Sequence, residues 1–269
     1  MENHRIDLRP VGEVVSDVDR PLDMPLTGKP GVIRIHPEFI PALYRVEDHS
    51  HLWVLSWFHE ANRNLLRVAP GRLNPALAER GVFGLRSIGR PNPIGLSLVK
   101  LLKIDAPLVY VSGFDAIGGT PVLDIKPYFE QDIIFSPRTP YLRPVRAEVR
   151  RDMFWKDAVN HHQEECPWLE IGVRLALIAD EQFGKIQSPD LKVKVVGPAC
   201  LADVIQGLTR ARLSNPSRFE YRHDPGTVEV SWANAVKSMM VTLRSQPDSA
   251  EVSGLDDNQL FNIEVQALS

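Results

Sequence analysis

One short stretch of the sequence gathers side chains able to do chemistry: "RSIGRPNPIG" (86–95) holds Arg86, Arg90 and Asn92 among two prolines and two glycines. Guanidinium forks such as those of Arg86 and Arg90 grip a carboxylate or phosphate bidentately. Asn92 can donate and accept, and Gly95 lets the backbone approach a partner closely. Pro91 and Pro93 fix φ at alternate positions and bias Arg90 and Asn92 toward extended geometry, so the loop is stiff. Local chemistry alone leaves two readings level: a wall that grips an anion, or an interstrand loop with solvated arginines.

Common cradles and nucleophile motifs are missing. No Gly-x-Gly-x-x-Gly follows a strand, and there is no P-loop or Gly-x-Ser-x-Gly elbow. "HEANR" (59–63) begins like a zinc-protease helix, but Arg63 stands where the second histidine would be. "DHSH" (48–51) and "HHQEEC" (161–166) carry metal-ligating residue types at a spacing that fits no zinc pattern. They read as solvated polar residues, and no metal is expected.

The elements that must position these residues are strands. "GVIRI" (31–35), "HLWVLSWF" (51–58), "GVFGLRS" (81–87), "GLSLVKLLKI" (95–104), "PLVYVSGF" (107–114) and "TPVLDIKPY" (120–128) are β-branched or apolar and are cut by Gly, Pro and Asp. The run 51–58 is nearly all apolar, as for a strand buried on both sides. No convincing long helix separates them, so a parallel doubly wound sheet is excluded and a mostly antiparallel, closed or nearly closed sheet is expected. "SPRTPYLRPVR" (136–146) reads as a stiff linker. Beyond it, "AEVRRDMFWKDAVNHHQ" and the spacing of Trp168, Ile171, Leu175 and Ile178 predict helices, as do Leu201, Ile205 and Leu208. "LKVKVV", "TVEVSW", "SMMVTL" and "FNIEVQAL" predict further strands. The expected organisation is a mainly β chain: a single-sheeted, mostly antiparallel β-barrel over 1–140 and a smaller α+β domain over 141–269.

The net charge of -3 is unevenly spread. Residues 1–150 carry 19 Lys/Arg against 17 Asp/Glu, and residues 151–269 carry 12 against 17. Contact with a nucleic acid must therefore be local and salt-sensitive. Two cysteines, Cys166 and Cys200, argue against a disulfide framework and for a reducing compartment. With no apolar run long enough to cross a membrane and a polar N-terminus, a cytoplasmic location is expected.

"SHLWVLSWFH", "RGVFGLRSIGRPNPIGLSLVKLL" and "GFDAIGGTPVLDIKPY", in that order, strongly resemble the TsaA-like, TrmO family of S-adenosylmethionine-dependent tRNA methyltransferases, over about residues 8–132. The resemblance implies a β-barrel that binds S-adenosyl-L-methionine without a Rossmann unit. It implies a cofactor site at His59, Glu60, Arg86, Leu96, Ser112, Gly113, Phe114 and Asp115. Arg90 and Asn92 would then face substrate, and His59, Asp115 and Tyr128 are the candidates for accepting a proton. Asp124 and Lys126 are expected to pair with each other or to shape the site. A homodimer acting on tRNA, at N6 of threonylcarbamoyladenosine in the anticodon loop, is the family expectation. Two departures stand out. "DMPLTGKPG" (23–31) lacks the family's Pro-Arg-Gln-like element, and "LSNPSRFEYR" (213–222) only loosely resembles its Asp-Pro-Arg-Pro-x-Tyr segment. A different methyl acceptor, or a non-catalytic module binding S-adenosylmethionine or RNA, remain the alternative readings.

Overall fold

The computed structural model describes residues 6–244 and 252–268. The chain divides into two compact units, Met1–Ile133 and Ile134–Ser269.

The first unit is a closed barrel. Its strands are β1 (Gly12–Val15), β2 (Lys29–Ile35), β3 (His51–Trp57), β6 (Ile94–Asp105), β7 (Leu108–Phe114) and β8 (Pro121–Pro127). They run in the order β1-β2-β7-β6-β3-β8 and close through β8 onto β1, every pair antiparallel. Closure leaves no free edge. Ile33, Leu52, Val54, Val99, Val109, Val111, Phe114 and Val122 fill the interior. Burial along β3 alternates, with Leu52, Val54 and Ser56 inward and the indoles of Trp53 and Trp57 half-buried outside. The apolar character of 51–58 therefore comes from covered outer side chains, and the strand is not buried equally on both faces. "GVFGLRS" also departs from expectation. Only Arg80–Gly81 (β5) pairs, with Arg67–Val68 (β4), and Val82–Gly84 then forms a 3-10 turn. The 3-10 turn breaks the extended run, and the segment adds no strand to the barrel.

The second unit is α+β. Helices α1 (Ala147–His162), α2 (Pro167–Phe183) and α3 (Ala199–Thr209) accompany strands β9 (Lys192–Gly197), β10 (Phe219–His223), β11 (Glu229–Ala233), β12 (Lys237–Leu243) and β13 (Phe261–Ala267), with a short α4 (Asp257–Leu260) before the last strand. The sheet order is β10-β9-β11-β12-β13, and only β9 and β10 are parallel, joined across α3. Leu169, Leu175, Leu201, Ile205, Val195, Trp232 and Phe261 form its core. The Pro- and Arg-rich stretch before α1 is tied down: the Tyr141 hydroxyl donates to buried Asp180, and Arg143 bonds the same carboxylate at 2.9 Å. Arg218, within the segment that loosely resembles the family's C-terminal motif, is a buried structural group. Its guanidinium donates to the carbonyls of Ser188, Leu191 and Arg210.

No helix among the described residues is long and apolar enough to cross a membrane.

Candidate functional site

At one mouth of the barrel β3 and β7 end and β6 and β8 begin. A cleft of about 160 Å³, open to solvent, lies there. Four stretches line it: Pro21 and Met24–Leu26 before β2, Phe58–Ala61 after β3, Arg72, Arg86 and Ile88 in the excursion from β3 to β6, and Asp115, Ile117 and Thr120 in the turn from β7 to β8.

The structure brings His59, Glu60, Arg86 and Asp115 together on this cleft. The imidazole of His59 and the carboxylate of Glu60 stand 3.9 Å apart. Asp115, exposed to the cleft, accepts a hydrogen bond from the hydroxyl of Ser97, which points into the barrel from β6. Thr120, 1 % exposed, keeps a hydroxyl with no hydrogen-bond partner. An orphaned buried hydroxyl costs about 1–3 kcal/mol, which a polar ligand atom would recover.

The arginines divide by what holds them. Arg72 donates to the carbonyls of Pro21 (3.2 Å), Leu22 (3.2 Å) and Met24, clamping the β1–β2 segment over the cleft. Met24 in turn packs with Val18 and Ile117 in a small apolar cluster. So "DMPLTGKPG", which lacks the family's Pro-Arg-Gln-like element, lines the cleft with Met24, Pro25 and Leu26 and is held by a distant arginine. Arg90 donates to the carbonyls of Ser87 (3.0 Å), Val82 and Leu85, and Arg63 donates to Pro91 at 3.0 Å. The loop's shape thus depends on its own side chains as well as on its prolines. Arg86, by contrast, makes no hydrogen bond or ion pair among the described residues. Of the four, only its fork is uncommitted.

Other anticipated residues lie elsewhere. Leu96 is 46 % exposed on the outside of β6, and the Phe114 ring is in the barrel core. Ser112 and Gly113 lead β7 toward the cleft without lining it, and Asn92 is exposed beyond it. Tyr128 accompanies His51 and Trp53, its amide bonded to the His51 carbonyl, at the start of β3. The cleft is at the other end of that strand, about 20 Å away at the rise of an extended chain. Tyr128 therefore does not share a site with His59 and Asp115. Asp124 and Lys126 pair with each other at 2.7 Å. Arg72, Met24, Ile88 and Thr120 were not anticipated, since each sits in a loop or at a strand start that carries no periodic signal.

Gly95 earns its place by close approach. A Cβ there would stand 2.5 Å from the ring of Phe58, which forms the apolar floor beside His59.

Residues 17–132 match the tRNA-methyltransferase O N-terminal domain family. A probable S-adenosyl-L-methionine-binding protein of Archaeoglobus fulgidus is 36% identical over 192 residues, 69% of this chain and 52% of the relative. The chain thus spans about half of that protein's length. A probable S-adenosyl-L-methionine-binding protein of Methanothermobacter thermautotrophicus is 43% identical over 134 residues, covering 48% of this chain and 95% of the relative. A human tRNA (adenine(37)-N6)-methyltransferase is 50% identical over 93 residues, 34% of this chain and 20% of the relative. With nearly the whole of the Methanothermobacter protein matched, and the family's sequence signatures placed around one cleft, the chain belongs to the TsaA-like, TrmO family.

Proposed function

We propose that the chain is an S-adenosylmethionine-dependent methyltransferase acting on N6 of an adenosine in tRNA, and within tRNA on threonylcarbamoyladenosine of the anticodon loop. The observation that carries this reading is the convergence of His59, Glu60, Arg86 and Asp115 on one apolar-walled cleft. The family membership and the names of the relatives support the same chemistry.

The residues present suit the cofactor. Its carboxylate calls for a guanidinium, and the fork of Arg86 is uncommitted. Its ribose diol calls for a carboxylate, which Glu60 or Asp115 supplies, and its adenine calls for apolar walls such as Phe58, Ile88 and Ile117. The hydroxyl of Thr120 is a further donor awaiting an acceptor. When bound, S-adenosylmethionine supplies an activated methyl group on a sulfonium.

The protein's own contribution is to position the acceptor and keep water away from it. An N6 nitrogen conjugated to a carbonyl is a poor nucleophile, so a base that removes its proton helps. His59 and Asp115 are the two candidates on the cleft, and Ser97 fixes the orientation of Asp115. Arg90, bound to three carbonyls, shapes the loop in this reading, while exposed Asn92 faces the tRNA. A homodimer belongs to the same proposal: Ile94, Leu96 and Leu102 expose apolar side chains along β6.

Mass spectrometry of tRNA nucleosides from a strain lacking this chain, with no redundant enzyme, tests the proposal. Loss of the methylated form of threonylcarbamoyladenosine supports it, and an unchanged level refutes it.

A further inference from the structure

Far along the sequence from the cleft, the ends of three helices in the second unit meet. His162 is in the last turn of α1, Cys166 is the N-cap of α2, and Cys200 is the second residue of α3. The imidazole nitrogen and the two sulfurs all lie within 4.8 Å of one another. Cys166 and Cys200 are the only cysteines of the chain, and both are free thiols. No spacing rule could flag the group, because the third member comes from a helix 34 residues beyond Cys166.

We propose that His162, Cys166 and Cys200 form a zinc-class transition-metal site, with His162 Nε2 and the two thiolates as ligands. Three observations carry this. First, Cys166 Sγ and His162 Nε2 are 3.4 Å apart. Tetrahedral zinc with bonds of roughly 2.3 Å to sulfur and 2.0 Å to nitrogen sets its ligand atoms about 3.5 Å apart.

Second, the other ring nitrogen of the histidine is already oriented. His162 Nδ1 lies 2.7 Å from a carboxylate oxygen of Asp203, and the His162 side chain is 8% exposed. With Asp203 holding the proton on Nδ1, the lone pair of Nε2 points to the two sulfurs, as in carboxylate–histidine–metal triads. Asp203 also receives His161 at 3.3 Å.

Third, the helices are built to close here. Gly207 of α3 has no Cβ, and one placed there would stand 2.4 Å from the ring of His161, so glycine is what lets the end of α1 seat on α3. Three protein ligands leave a fourth position for water or a small ligand, so the set has the composition of an open Cys₂His centre.

The test uses the full chain, reduced and stripped with a chelator, then titrated with Zn²⁺ against a chromophoric indicator and with Co²⁺ by absorption. One equivalent of metal and a thiolate-to-cobalt charge-transfer band are expected. Cys166→Ser and Cys200→Ser should each abolish the band. Asp203→Asn, at a partly exposed position that leaves all three ligands in place, should weaken zinc binding by about 10–100-fold while circular dichroism stays as in the wild type. Absence of stoichiometric binding in the reduced protein overturns the proposal, as does binding that survives both cysteine substitutions. A Cys166–Cys200 disulfide that forms equally fast with and without zinc also overturns it.

Discussion

The hydroxyl of Ser97, 6% exposed on the inner side of β6, donates to the carboxylate of Asp115 at the end of β7. One barrel strand thereby sets the aim of a side chain delivered by its neighbour. A hydrogen bond to a charged group is worth about 1.5–3 kcal/mol. Ser97→Ala is therefore expected to weaken S-adenosylmethionine binding by tenfold or more in calorimetry and to lower the melting temperature. Unchanged affinity would show that Asp115 does not touch the cofactor.

The arginines should separate by variant. Arg86→Ala removes a fork that no other described residue uses, so cofactor affinity is expected to fall by about 10–100-fold without loss of stability. Arg72→Ala and Arg90→Ala each strip donors from three main-chain carbonyls. Both should lower the melting temperature as well as affinity. Calorimetry and thermal unfolding on the same three proteins check the pattern, and equal stability losses in all three would contradict it.

In the second unit, Tyr141→Phe takes away the donor that faces Asp180, whose side chain is 2% exposed. Leaving one lone pair of a buried carboxylate without its partner is expected to cost about 1–3 kcal/mol in urea unfolding. Burial and the Asp180 bond push the Tyr141 phenol well above its usual range, so it remains a donor in alkaline solution.

Glu181 gives the acid limb. Its hydrogen bond from Arg143, then the nearby charges of Arg143 and Arg150, hold its carboxyl below the ordinary value. A carboxylate with a depressed folded value contributes fully above its unfolded value, about 4.3. That contribution declines as the pH falls from there and is gone once the folded carboxylate is protonated. The stability difference between the wild type and Glu181→Gln should thus be present at pH 7 and shrink steadily below about pH 4.3. A difference that persists at pH 2 would mean the pairs with Arg143 and Arg150 do not matter.

How much of this was legible in the sequence depends on the kind of signal. Strands such as 31–35 and 108–114 announce themselves by β-branched residues bounded by turn formers, and the helices by apolar spacing, because burial of one face imposes a period. "GVFGLRS" has the same composition, yet a 3-10 turn at Val82–Gly84 breaks it and no barrel strand pairs with it. Among the site residues, His59, Glu60, Arg86 and Asp115 could be named because the resemblance to the family's motifs points to those positions. Arg72 could not: its role depends on carbonyls about 50 residues earlier, a pairing that only the folded loops create. The same holds for His162, Cys166 and Cys200, where the residue types were visible and their meeting point was not.

The most direct measurement of the central claim is transfer itself. The purified full chain is incubated with methyl-labelled S-adenosylmethionine and tRNA that carries unmethylated threonylcarbamoyladenosine, and the digested nucleosides are weighed by mass spectrometry. The expected result is one labelled methyl group on that nucleoside with the wild type and a large loss with Arg86→Ala. A wild-type protein that binds S-adenosylmethionine yet leaves the tRNA unlabelled would contradict the account.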